Sequence, residues 1–381
     1  MPKPTERAAV TLLFFLNAVI FTSFFARLPA IKAGLGASDG QLGVALFFAT
    51  FGLLIAPPLA GALIARLGAR GPSLGGLALS ALGLPATAAA PSVPVLAAVL
   101  LAMGLANGIL DVSMNAEGVA VERRAGRRML SSMHGAFSFG GVTGAGLGGL
   151  AAAAGVDVQV HLAVVTALVL AGAVVAATGL PAPHPDAPKG RSFVRPDRRL
   201  ALLGAVAFCV LLAEGSVTDW SAVYLNETAG ASEGLAAAGL TVFMFTMAFG
   251  RLAGDRVAER FSAPAVIRAG TLPGAGGLGL ALVVAEPAAG IAGYALMGIG
   301  LSACFPLVVA ASARGSGDAE AASIALVSGA GYVGLTAGPA TIGLLSDAVG
   351  LRQALLLVVA LAVVASALAG AARRDDGRSG S

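Results

Sequence analysis

The chain has 381 residues, 57% hydrophobic and 12% charged, with a net charge of +4. A soluble domain carries about 25% charged residues, so this chain lacks the polar side chains to cover a water-facing surface. A soluble globular protein is excluded, and lipid is the natural solvent. The positive balance does not imply a nucleic-acid partner, because its location argues otherwise.

A bilayer core about 30 Å thick needs about 20 apolar residues in a helix rising 1.5 Å per residue. Runs of that size fall at 8–26, 41–65, 72–90, 94–119, 132–154 and 161–180, and then at 200–219, 236–253, 264–284, 288–312, 321–345 and 352–371. The first run is longer than the apolar part of a signal peptide and lacks a small-x-small cleavage site, so it reads as the first transmembrane helix. The long polar break, "PAPHPDAPKGRSFVRPDRR" (181–199), divides the chain six plus six. The expected fold class is all-α integral membrane, twelve helices in two pseudo-symmetric six-helix bundles. Residues 1–180 form one bundle, 181–199 a cytoplasmic linker, 200–371 the second bundle and 372–381 a cytoplasmic tail.

Basic residues retained beside spans mark the cytoplasmic side. With both termini on one side, all 24 Lys and Arg lie on that side except Arg27, Lys32 and Arg352. The expectation is a multi-pass protein of the inner (cytoplasmic) membrane with cytoplasmic N- and C-termini. Its basic charge faces anionic lipid and cytoplasm.

Duplication is visible at an offset of 194 residues. "GGVTGAGLGG" (140–149) pairs with "GLTAGPATIG" (334–343), and "MGLANG" (103–108) with "MGIGLS" (297–302). Small residues at four-residue spacing let membrane helices approach closely. "GAGGLG" (274–279) satisfies a dinucleotide fingerprint only literally, since no strand precedes it and no acid follows about 20 positions on. Cys209 and Cys304 lie in apolar runs and read as small packing residues, with no metal spacing around them. No GxxxxGK[ST] supports ATP-driven pumping. Cofactors and metals are therefore not expected, and no nucleophile–base set suggests an enzyme.

The stretch "GRLAGDRVAERF" (250–261) resembles the cytoplasmic loop motif of the major facilitator superfamily, repeated between helices 2–3 and 8–9. Its first copy, "GALIARLGARG" (61–71), keeps Gly61, Arg66 and Arg70 but has Ala65 where an Asp is usual. "GGVTGAGLGG" resembles the helix-5 glycine motif, with Ala145 replacing its proline, and the helix-11 copy keeps Pro339. "ARLPAIKAGLGASDGQLG", "LDVSMNAEG", "EGSVTDWSAVYL" and "FPLVVA" resemble the fucose permease-like branch. The resemblance implies a central cavity lined by helices 1, 4, 7 and 10, opened to either side by rocking of the two halves. It assigns gating to Arg66, Arg70, Asp255, Arg256 and Arg260; the other reading of these arginines is plain anchoring at the cytoplasmic surface.

Ionisable residues within spans are rare and costly, so each is a functional candidate. Asn107, Asp111 and Asn115 recur at i, i+4 and i+8 and form one polar stripe with Gly104 and Gly108, which must face the bundle interior. Asp111 lies roughly 25 Å into its helix, in the cytoplasmic half. In the branch it resembles, a proton symporter has a helix-4 carboxylate four residues before an Asn, which supports Asp111 as a proton-coupling site. The other reading is a structural acid locking helix 4. That symporter's helix-1 acid is replaced here by Phe25, so sugar specificity does not transfer.

Glu214 is the second coupling candidate, and His134 could share a proton with helix 4. Substrate contacts are assigned to Asn17, Asn107, Asn115 and Trp220. For Trp220 an interfacial anchor is the competing reading, and for Asp219 it is helix-end solvation. The acids have no counterparts at the 194 offset, where Phe305 matches Asp111 and Ile20 matches Glu214. The expected function is secondary transport of a small sugar-like or other polar metabolite by alternating access, coupled to protons. Proton-driven efflux and a non-transporting membrane sensor stand as alternatives. The expected partners are a small-molecule substrate, protons and the bilayer, with no nucleic acid, and the expected state is a monomer.

Overall fold

The computed structural model describes residues 4–126, 129–180, 197–314 and 319–373. Among them the regular structure is helical throughout, with no strand. In chain order the helices are α1 (Pro4–Ala26), α2 (Leu28–Leu35), α3 (Asp39–Leu67), α4 (Arg70–Ala88), α5 (Val93–Ala125), α6 (Leu130–Ala153) and α7 (Val158–Gly179). After residues 181–196, which lie outside the described residues, come α8 (Arg198–Val223), α9 (Glu233–Arg260), α10 (Ala263–Val284), α11 (Pro287–Leu301), α12 (Cys304–Ala313), α13 (Glu320–Val349), α14 (Leu351–Ala354) and α15 (Leu356–Leu368).

Ten helical segments are long and apolar enough to cross a membrane, with α11–α12 and α14–α15 each counting as one. The helices α4, with 19 residues, and α13, with 30, complete the twelve. Large apolar side chains such as Leu150, Val174 and Val283 point outward, as lipid contact requires. The apolar runs locate every span but miss three local features. The stretch after span 1 forms α2, which starts at Leu28 with Pro29 in its first turn and stops at Gly36, where a φ of 59° carries no Cβ penalty. The run 288–312 breaks at Ser302 and Ala303, between α11 and α12, because the ring of Pro306 cannot fit against the carbonyl four residues before it. Beyond Val223, α8 continues as a π-turn, Tyr224–Thr228.

Polar caps close the aqueous ends. Ser38 and Gln41 form a reciprocal capping box at α3, Asp157 accepts two backbone N–H groups at α7, and Asp197 caps α8. On the side bearing the termini, arginines bind helix-end carbonyls: Arg199 reaches Ala311 O at 2.8 Å and Arg268 reaches Ser366 O at 3.3 Å. A cation at a helix C-terminus meets the negative end of the helix dipole.

The small residues set the packing, and they do so twice. Gly140 and Gly144 of α6 lie against the α1 backbone at Phe15 and Val19, while Gly334 and Gly338 of α13 lie against α8 at Phe208 and Leu212. Gly104 of α5 abuts the Ala49 carbonyl of α3, and Gly298 of α11 abuts the Phe243 carbonyl of α9. Both members of this last pair are shifted by 194 residues, so the duplicated motifs make duplicated helix contacts. Without a hydrophobic drive between helices in lipid, such close backbone approach supplies the dispersion energy that holds them.

Replacing Gly104 with Val should therefore lower stability by about 1–3 kcal/mol through overpacking. Gly61, with no atom within 4 Å of an added Cβ, should tolerate Ala and gain up to about 1 kcal/mol of helix propensity. Thermal unfolding of the detergent-solubilised protein, measured for both variants, checks the contrast.

Candidate functional site

Between the helices before and after residues 181–196, two seams run down from the side opposite the termini. In one, Gly43 of α3 meets Pro339 of α13, and Gly343 meets the Asp39 backbone. In the other, Gly234 of α9 meets Ala153 of α6, and Gly149 meets Ala237. Further toward the terminal side the second seam parts beyond Gly141 and Met244, and a cavity of about 260 Å³ opens.

Asp111 of α5 and His134 of α6 line this cavity on one side, and Arg251 of α9 lines it on the other. Met114, Phe137 and Ser138 complete the near wall. Asp111 is half-buried, and Asn115, one turn on, donates through Nδ2 to its carbonyl at 2.8 Å and to its Oδ1 at 3.3 Å. The i, i+4 spacing of the sequence thus becomes a direct hydrogen bond that orients the carboxylate. The His134 ring packs edge-on to Phe14 with centroids 4.9 Å apart. Arg251 donates to the Glu214 carboxylate at 2.9 Å, a charge-assisted bond from α9 to α8. Tyr332 of α13 lies within electrostatic reach of both Asp111 and Glu214. Two carboxylates and one guanidinium therefore share the site, and the guanidinium engages only the acid on its own side.

Of the expected residues, the structure brings Asp111 and His134 to one wall, holds Asn115 against Asp111, and joins Glu214 to Arg251 on the opposite wall. The stripe divides: Gly104 and Gly108 pack on α3, and of its polar members Asp111 lines the cavity. Asn17 is buried behind Met114, 3.9 Å from its Sδ, with Oδ1 unpartnered. Asn107 Oδ1 is likewise buried without a partner. Trp220 is completely enclosed, which overturns the interfacial-anchor reading, and its Nε1 has no acceptor. Asp219 is 5% exposed, so helix-end solvation is overturned as well; α8 runs a full turn past it.

Arg251 was assigned by sequence to the basic loop. Its position inside the apolar run 236–253 is the signal that marks it as an intramembrane ion. Tyr332 carried no such signal. Arg66, Arg256 and Arg260 are exposed, with no hydrogen bond or ion pair to other described residues. Arg70 donates to Ala177 O at 2.9 Å, at the end of α7. The Asp255 side chain lies outside what is described.

Ionic contacts gather instead on the far side, around the basic residues left there by the charge count. Lys32 of α2 binds Asp39 of α3 and Glu227 of the π-turn. Asp347, beyond the apolar stretch of α13, accepts from the Ser38 hydroxyl at 2.8 Å and the Gly40 N–H at 3.0 Å, and Ser346 donates to Asp39. Arg27 donates to Val156 O at 2.8 Å and lies 3.9 Å from Glu233. Burial opposes the charge on Lys32, but its hydrogen bonds to Asp39 and Glu227 outweigh this and hold the ammonium above its usual range. The Gly40 N–H and the Ser38 hydroxyl hold the Asp347 carboxyl below the usual carboxylate range. Lys32 thus contributes until pH rises through the lysine range, and Asp347 until pH falls through the carboxylate range, so these two charges persist across neutral pH.

The profile of the Major Facilitator Superfamily matches residues 10–314 and 203–380. An uncharacterised MFS-type transporter of Yersinia pestis is 33% identical over 379 residues, covering 98% of this chain and 97% of the relative. Among solved structures, a variant of the nucleoside transporter NupG superposes with a TM-score of 0.78 at 14% identity, covering 97% of this chain and 100% of that one. The fucose:proton symporter FucP of E. coli superposes with a TM-score of 0.63 at 19% identity, covering 97% and 98%. These two likenesses concern the fold alone. With the profile and the relative spanning nearly its whole length, the chain belongs to the major facilitator superfamily.

Proposed function

We propose that this transporter moves a small polar solute by alternating access, with proton movement coupled through Asp111. The observation that carries the reading is the cavity itself. A carboxylate from α5 faces an arginine from α9, on opposite sides of the seam that must open and close. With Asp111 ionised, Arg251 has two acids to serve; with Asp111 protonated, Glu214 keeps it. Protonation thereby biases the approach of α5 and α9, and His134 relays the proton to the terminal-side solvent.

In this reading residues 1–180 and 200–371 are the rocking bundles, joined by a linker at 181–199. The molecule works as a monomer in the inner membrane with its termini cytoplasmic, in keeping with the placement of its basic residues. The far-side latch closes the outer path while the cavity faces the cytoplasm. The solute is polar, because the walls offer a carboxyl, an imidazole, a hydroxyl and an arginine. Sugars and nucleosides are the first candidates, given what the solved neighbours carry.

In proteoliposomes carrying an imposed solute gradient, a panel of monosaccharides, nucleosides and amphipathic cations should contain one solute that shifts external pH. Asp111→Asn should abolish that proton movement, at least tenfold, while solute exchange at equal concentrations persists. Wild-type proton-driven accumulation in this variant would make Asp111 a structural residue.

Lys32→Gln should weaken the latch and raise far-side labelling of a cysteine placed at Gly34 severalfold. Both native cysteines are buried, so the background is low. In the unsubstituted latch, labelling should also rise when pH passes above the lysine range and Lys32 discharges. Equal labelling in Lys32→Gln and the parent would remove the latch from the cycle.

A further inference from the structure

Asp219 sits on α8 roughly 12 Å along the helix from Glu227. The neighbouring α8 side chains Ser216, Val217, Trp220, Ser221 and Val223 are all buried to within 1% exposure. Among the described residues its carboxyl has no hydrogen bond and no ion pair. The Ser216 hydroxyl, one turn before it, and the Trp220 indole N–H beside it are fully buried without partners, while Asp219 keeps 5% exposure.

No described cation pairs with Asp219. From the elements packed against the far-side half of α8, the charged or titratable groups are Arg27 and Lys32 at α2, Glu233 on α9, Tyr294 on α11, Asp347 on α13 and Arg352 on α14. Tyr224 and Glu227 follow on its own continuation, and α15 carries none. Toward the cavity lie Arg251, Cys304 and Tyr332. None of these cations reaches Asp219: Lys32 binds Asp39 and Glu227, Arg352 binds Val283 O at 2.7 Å, Arg251 binds Glu214, and Arg27 binds Val156 O and lies 3.9 Å from Glu233, with its Nε and Nη1 buried and unpartnered. An ionised carboxylate enclosed in the membrane without a counter-charge carries the full cost of its lost hydration, whereas the neutral acid does not.

We propose that Asp219 is a second proton-binding site, and that closing the far side takes up one proton on its carboxyl. When the far side is open, water reaches the end of α8 and the carboxylate is ionised. On closure a proton from far-side water forms the O–H bond, and on reopening that bond breaks and the proton returns to water or moves on. The partnerless Ser216 hydroxyl is positioned on the same helix face to bond the acid. An acidic far side therefore drives the molecule toward the closed, cavity-inward form. The proposal rests on the alternating-access reading but not on the role of Asp111.

The test is infrared spectroscopy of the full-length protein in lipid nanodiscs, in sodium-free buffer at neutral pH, following the carbonyl band of protonated carboxylic acid. Asp219→Asn should lose one such band, and Asp111→Asn should keep that same band. Lys32→Gln, which leaves Asp219 in place but loosens the latch, should diminish the band and restore it on acidification. In Asp219→Asn, far-side cysteine labelling at Gly34 should stay low and lose its response to pH around neutrality. A band unchanged by Asp219→Asn would show that the carboxyl is ionised and would overturn the proposal. So would a band that sodium alone removes in the latched wild type, since the occupant would then be a metal ion. Loss of solute-coupled proton movement in Asp111→Asn with the Asp219 band intact separates failure of one site from failure of the other.

Discussion

A charge inside a bilayer must be paired, hydrated or neutralised, and the arrangement of this protein follows from that requirement. Its ions occupy three places. Arginines at the terminal side face water and helix-end carbonyls. On the far side, Lys32 pairs with Asp39 of its own set of helices and with Glu227 across the seam. Asp111 and Arg251 line the cavity, and Arg251 holds Glu214. The first group belongs to the membrane surface and the other two to the boundary where the two sets of helices separate or touch, places in such a fold where an ion is tolerable.

The rest of the molecule is held without charges. Glycines at equivalent positions bring α5 onto α3 and α11 onto α9 by the same contact, repeated 194 residues later. Packing of this kind is indifferent to which polar groups the helices carry on their other faces. Duplication could therefore preserve the scaffold while the chemistry diverged: α5 has Asp111 where α12 has Phe305, and α8 has Glu214 where α1 has Ile20. The asymmetry gives the cavity an acid on one wall and an acid–arginine pair on the other.

The two ends of the molecule differ in how their contacts respond to solvent. At the far side, the Lys32 and Asp347 charges are stabilised by partners that keep them constant across neutral pH, so the latch supplies strength rather than sensing. Sensitivity in the neutral range has to come from groups whose environment changes between conformations. A carboxyl that is wet in one state and enclosed in the other has that property, and a surface ion pair does not.

Spans, their number and the likeness to this superfamily were determined by the sequence itself, because apolar length and the location of arginines are local quantities that lipid reads directly. The candidate acid Asp111 and its i+4 partner Asn115 were legible for the same reason. The partners were not. That Arg251 joins Glu214, that Trp220 and Asp219 are enclosed, and that the three far-side basic residues mark the closed end all depend on which helices lie side by side. A helix face has the same sequence whether it meets lipid, water or another helix, so only the tertiary packing decided which of its ions are exposed, paired or alone.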